Sequence, residues 1–242
     1  VYSRFVATKE FGRGKTSNVV ASGLVFYLNA NNLSSYSGTG NVWNDISGQG
    51  NHAILTNGPV YNSLNGGSFL FDGFDDIAPI GSTNFPYVSS PSTLSAWAKT
   101  NIITPGPKSP SSFRIIVSYG RAVENQARYI GIKNREFYFG GFGASAIFSD
   151  TIVPLNTWFN LTGVYDGSYA SIYVNGELVI GPVSRSWSTV AETANVGRQV
   201  YTDPANYERW DGNIAQVMIY NRALNPIEVA QNFNVYRSTY GL

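Results

Sequence analysis

The 242-residue chain contains no cysteine, one histidine and one methionine. Without cysteine there is no disulfide to brace the fold and no thiolate for nucleophilic or redox chemistry. One imidazole and no thiol exclude the ligand sets of most zinc sites. That imidazole, His52, sits in the turn-like stretch GQGNHAIL, where a loop-packing role is expected. Charge is also scarce: charged residues make up 13% of the chain, about half the usual share, and the net charge is +1. Such a balance offers no broad basic surface to nucleic acid. No apolar run reaches the roughly 18 residues that would cross a bilayer, so no membrane partner is expected. Acidic pairs are missing as well. Glu10, Glu124, Glu136, Glu177, Glu192, Glu208 and Glu228 are scattered singly, and Asp75 and Asp76 are adjacent, so on a strand they would point to opposite faces. Glycoside hydrolysis needs two carboxyl groups about 5–9.5 Å apart across a cleft. No catalytic residue is therefore expected, and the chain reads as a non-enzyme.

What the chain has is aromatic and turn chemistry: 16 Tyr, 14 Phe and 25 Gly. Short apolar or alternating runs, suited to a pleated surface, recur from Gly23 onward. LVFYLNA (24–30), GSFLFDG (67–73), STLSAWAK (92–99), FRIIVSYG (113–120), RYIGI (128–132) and EFYFGG (136–141) read as strands. TWFNLTGVYDGSYASIYVNGELVI (157–180) reads as three strands joined at Asp166-Gly167-Ser168 and Asn175-Gly176, pairs that accept the positive φ of tight hairpins. ANVGRQV and GNIAQVMIYN follow. Many short strands at close spacing indicate a sandwich or barrel. One helix is expected, over LNPIEVAQNFNVYR (224–237), with Asn225 as cap, Pro226 in the first turn and Glu228 completing a capping box. Its stripe of Val229, Phe233 and Tyr236 would pack on a sheet.

The N-terminal twenty residues stand apart. GRGKTS (12–17) ends like a phosphate-binding loop, but the required earlier glycine is Lys9 and no strand–helix context surrounds it. Arg4, Lys9, Arg13 and Lys15 face only Glu10, a local balance of +3. Residues 1–21 are accordingly expected to be an extended arm that anchors on a neighbouring subunit, with one domain over 22–242. Loops supply two further candidate sets. Trp187, Tyr201, Tyr207 and Trp210 lie in otherwise polar loops and could stack on sugar rings. Asp72, Asp75 and Asp76, in FDGFDD, offer the oxygen ligands that Ca2+ takes, with Asp166, Asp211 and Asn213 as more distant candidates, although aspartates beside glycine also form turns.

Several phrases in order resemble one family. They are GLVFYLNANNL…VWNDISGQGNHAIL, FDGFDD, STLSAWAK, WFNLTGVYDGSYASIYVNGE, NVGRQ and WDGNIAQVMIYNRALNPIEVAQNFN. Over residues 23–242 they resemble the laminin G-like, concanavalin A-type jelly rolls, and most of all the branch found in bacterial surface proteins and tailed-phage (cyanophage-type) virion proteins. The resemblance implies an all-β, two-sheet antiparallel jelly-roll sandwich with a short C-terminal helix and the extended N-terminal arm. It also implies calcium at a rim of the sandwich in some members. Two functions are consistent with it. One is a non-catalytic virion subunit (capsid decoration, fibre or tail-associated), located on the particle and docked on other virion proteins as a homo- or hetero-oligomer. The other is an extracellular or cell-surface, lectin-like adhesin that grips host surface polysaccharide with or without Ca2+.

Overall fold

The computed structural model describes residues 18–102, 113–143, 145–200 and 208–242. Nearly all of its regular structure is antiparallel strand, in two sheets packed face to face as a jelly-roll sandwich. The larger sheet has eight strands. In order across it run Glu177–Ser184, Tyr169–Val174, Phe159–Tyr165, Ser92–Lys99, Asp211–Tyr220, Ser68–Asp72 and Val60–Asn62, with Leu24–Asn29 also pairing to Asp211–Tyr220. The second sheet has six: Ile147–Ile152, Glu136–Gly140, Ala127–Lys133, Phe113–Gly120, Thr193–Val196 and Ala78–Pro79. Among the described residues no helix is long and apolar enough to cross a membrane.

Turn chemistry sets the register, as the dipeptides predict. Asn175 and Gly176 both have positive φ (52° and 83°), and the strands they join pair from Val174↔Glu177 outward. At the preceding hairpin the Asp166 carboxylate accepts from the amides of Ser168 and Tyr169, at 2.8 and 2.7 Å. Strand Ile147–Ile152, at the edge of the six-stranded sheet, was not legible as a strand. Its run, IFSDTI, is interrupted by polar residues and half exposed, as edge strands commonly are.

The core lies between the sheets. Leu94, Ala96 and Ala98 of one sheet, and Ile130, Ile132, Phe137 and Phe139 of the other, belong to one buried cluster. Small residues face large ones: a Cβ on Gly163 would stand 2.5 Å from the Phe139 ring. The outward residues of strand Ser92–Lys99 are Thr93, Ser95, Trp97 and Lys99. The first three are buried too, because the C-terminal segment lies across this outer face. Helix Pro226–Tyr236 carries the full capping box at Asn225/Glu228. Arg222 fixes it by a two-pronged pair to Glu228 (2.8 and 2.7 Å), and the pair raises the arginine pKa and lowers that of the carboxylate. Trp97 stacks on Phe233 (5.5 Å, 14°) and packs on Tyr240 (4.6 Å), which also meets Trp158.

The VWNDISGQGNH turn is organised by one carboxylate. Buried Asp45 accepts from the amides of Tyr27, Ser47 and Asn51 and from the Ser47 hydroxyl, all at 2.9 Å. His52 Nδ1 accepts from the Asp45 amide (3.2 Å), which is the loop-packing role expected of it. Asn51 then ties this turn to Val25 and Thr83. Asp45→Ala would leave the buried amides of Tyr27 and Asn51 without acceptors. It is expected to cost about 2–4 kcal/mol in urea unfolding, with Asp45→Asn intermediate; a loss below 0.5 kcal/mol, on the order of a surface change, would contradict this assignment.

Candidate functional site

The outer face of the large sheet is covered as far as Trp97 and opens at Lys99. In register there stand Val60, Leu70, Asn213 and Lys99, one from each of four neighbouring strands. Facing residues on one side of a sheet lie close enough to form a single surface. Here Val60 and Leu70 are exposed and aliphatic, while Asn213 and Lys99 are half buried. Thr100, Asn101 and Asn156 close the end of the row, and the result is a cleft of about 250 Å³. Its geometry is locally fixed. Asn156, in the left-handed region at φ 55°, donates its amide to the Thr100 carbonyl (2.8 Å). The buried Thr100 hydroxyl lies 2.7 Å from the Asp211 carbonyl and accepts from the Ile102 amide. Gly212 is obligatory in the floor, since a Cβ there would stand 2.2 Å from the Lys99 carbonyl oxygen. The Lys99 ammonium lies over the Trp158 indole, 5.2 Å from the ring centroid. Three carboxamides, a cation and an aliphatic wall thus share one concavity.

The acidic turn FDGFDD lies at the same end of the sheet. Asp72 pairs with Asp211, two residues along from the Leu70↔Asn213 pair. Asp72, Asp75 and Asp76 each place a carboxylate oxygen within 4.8 Å of the others. The three aspartates singled out in the sequence therefore lie close together. Two of the oxygens already serve the turn. Asp72 Oδ1 accepts from the amides of Phe74 and Asp75 (2.8 and 3.2 Å), and Asp76 Oδ2 accepts from the Asp72 amide (2.9 Å). In kind the donors fit a hard cation, which takes six to eight oxygens. If Ca2+ is held, Asp72, Asp75 and Asp76 hold it, and it would supply charge neutralisation and extra rigidity to this rim. These carboxylates gather on one turn and do not face one another across a groove, which is not the placement glycoside hydrolysis needs.

A family model of the concanavalin A-like lectin/glucanases superfamily matches residues 71–230. The chain belongs to that superfamily. Among solved structures it is similar to the binding domain of Paraclostridial Mosquitocidal Protein 1, at TM-score 0.66 and 17% identity over 88% of this chain and 52% of that one. It is similar also to the botulinum neurotoxin serotype D binding domain, at TM-score 0.64 and 16% identity over 90% of this chain and 53% of that one. A third likeness is to Trypanosoma rangeli sialidase, at TM-score 0.60 and 18% identity over 89% of this chain and 33% of that one. The chain thus spans about half of each toxin binding domain and a third of the sialidase; at these identities the likeness is one of fold. No curated protein matches the sequence. The superfamily's sandwich serves both binding domains and enzymes, so membership alone does not assign catalysis.

Within this concanavalin A-like body the loop aromatics fall differently from expectation. Trp187 and Trp210 are buried and cannot offer a face to a sugar. Trp187 packs on Tyr165 (4.7 Å) and edge-on to Phe139 (5.0 Å), beside the guanidinium of buried Arg128. Arg128 in turn donates to the carbonyls of Val88 and Ser90 and to the Ser92 hydroxyl, so this tryptophan helps line a structural arginine cage. Trp210 meets Phe159 edge to face in the main core. Large rings in polar loops were drawn inward because the apolar area gained is large. Tyr201 and Tyr207, and the arm residues Arg4, Lys9, Arg13 and Lys15 with the GRGKTS stretch, lie outside the described residues. The residues that sequence reasoning missed are Leu70, Lys99 and Asn156. The signal for Lys99 was present in the alternation of STLSAWAK, whose outward positions end on it.

The outer face of the six-stranded sheet holds a second half-buried polar group. Glu208 is pushed up to about 7 by burial, a rise that Lys133 and a hydrogen bond from Gln199 partly offset. Gln199 also reaches the Tyr129 hydroxyl (3.4 Å), and Tyr129 packs on Tyr138 (5.3 Å). Because the folded pKa lies above the ordinary 4.5, this group contributes stability below about pH 4.5 and loses it as pH rises through about 7. Urea unfolding of Glu208→Gln is expected to show a flatter pH dependence between 4.5 and 7 than wild type. Identical slopes in the two proteins would exclude the buried-carboxyl account.

Proposed function

We propose that the protein is a non-catalytic binding module that attaches to carbohydrate at a surface. The observation that supports this most is the rim cleft. Asn101, Asn156 and Asn213 each carry both donors and acceptors, as sugar hydroxyls require, and the aliphatic side chain of Leu70 suits the apolar face of a ring. That two structural neighbours are toxin binding domains is in keeping with it. The arrangement of the described carboxylates supports the absence of hydrolysis in this reading. Calcium at Asp72, Asp75 and Asp76 belongs to the same proposal, since ordering of that turn would stiffen the end of the sheet that carries the cleft.

The test is a glycan array probed with the full chain on multivalent beads, with Ca2+ and with a chelator, because single-site sugar affinities are low and several copies raise avidity. Binding to a restricted set of polysaccharides, weakened by chelator or by Asp75→Asn, is the expected result. A uniformly blank array would remove the carbohydrate reading, and release of reducing ends from any bound polysaccharide would remove the non-catalytic one.

The sequence resemblance supports a more specific setting, a tailed-phage particle. There the 22–242 body would be held on neighbouring subunits by the basic arm of residues 1–21, whose +3 balance suits an acidic protein surface. Deletion of residues 1–20 is then expected to yield a folded protein that is no longer incorporated into particles. Normal incorporation would count against the anchor.

A further inference from the structure

From the cleft we infer that the ligand is an anionic sugar unit, with Lys99 as its charge-reading residue; this rests on the carbohydrate reading above and narrows it. Among the described residues Lys99 is the one charged member of the cleft's lining, beside three asparagines, a threonine, a glycine and a leucine. Among the described residues no carboxylate forms a salt bridge with that ammonium. It is held instead over the face of Trp158, a contact that orients the amine without neutralising it. The nearest acid along the row, Asp211, sends its carboxylate the other way. Its Oδ2 would lie 2.8 Å from a Cβ on Gly73, which follows strand Ser68–Asp72 on the side of Asp211–Tyr220 away from Lys99.

An oriented, unneutralised ammonium beside amide groups is matched by a ligand with one negative group and several hydroxyls. The volume, about 250 Å³, is below that of drug-sized pockets, so it suits a single ring within a longer chain. Lys presents a point charge and not a planar fork, so the negative group can be a carboxylate, as on a uronic acid, or a sulfate ester. With a net charge of +1, attraction would come from this one contact and not from a long-range field.

The experiment is calorimetric titration of the full chain with four probes: oligogalacturonate, its neutral methyl ester, a sulfated galactan oligosaccharide and the neutral galactan counterpart. Lys99→Met keeps the aliphatic stem on Trp158, and Lys99→Arg restores charge; melting curves establish that both fold. Wild type is expected to bind at least one anionic probe about tenfold or more tightly than its neutral partner. Lys99→Met should reduce that affinity to the level of the neutral partner and flatten its salt dependence, and Lys99→Arg should restore a substantial part. Which anionic probe binds distinguishes carboxylate from sulfate. Equal binding of anionic and neutral partners, or full affinity in Lys99→Met, overturns the inference while leaving carbohydrate binding in place. No binding of any probe overturns this inference, and a blank glycan array alongside it would remove the carbohydrate reading as well.

Discussion

The constraint on which the molecule turns is the cover over the outer face of the eight-stranded sheet. A sandwich needs only its inner faces dry, yet this one buries Thr93, Ser95 and Trp97 on the outside as well. The C-terminal segment does this through aromatic contact, Phe233 and Tyr240 against Trp97 and Trp158. Buried aromatic area of this kind is the largest contribution a short helix can make to its own docking. Because the helix is short, the cover is short. Where it ends, the same outward row continues as Lys99, and a concavity remains between the tail of the sheet and the loops at 100–102 and 155–156.

Side-chain oxygens do in the loops what ladder bonds do in the sheets. Asp45, Asn51, Asp72 and Asp166 each accept from backbone amides that have no strand partner. This explains why so acid-poor a chain places its aspartates beside glycines. It also separates two uses of one residue type. Asp45 is buried and spends three of its contacts on its turn and the fourth on the Tyr27 amide of strand Leu24–Asn29, whereas the Asp72–Asp76 turn places its carboxylates at the rim of the sheet that carries the cleft.

Much of this was readable in advance from particular residues. The hairpins at Asp166-Gly167 and Asn175-Gly176 and the capped helix at Asn225 are local features, determined within four or five residues, and they stand where the sequence placed them. The closeness of Asp72, Asp75 and Asp76 was not readable, because on a strand the adjacent pair would point to opposite faces and only the turn brings them together. The tryptophans were not. Trp187 and Trp210 sit among polar neighbours in sequence, but the partners that bury them, Arg128, Phe139, Tyr165 and Phe159, come from distant strands. Local polarity predicts exposure only when nothing remote packs on the segment.

By itself the sequence determined the fold class, the hairpin registers, the helix and its caps, and the lack of any thiol. All of these depend on residue type and short-range geometry. Only the tertiary structure decided which outward residues stay open. Leu70, Asn213 and Lys99 are separated by up to 143 positions in the chain and become neighbours through strand pairing across three strands. Long-range pairing is a collective outcome of core packing, so a surface assembled by it has no signature in any one stretch of residues.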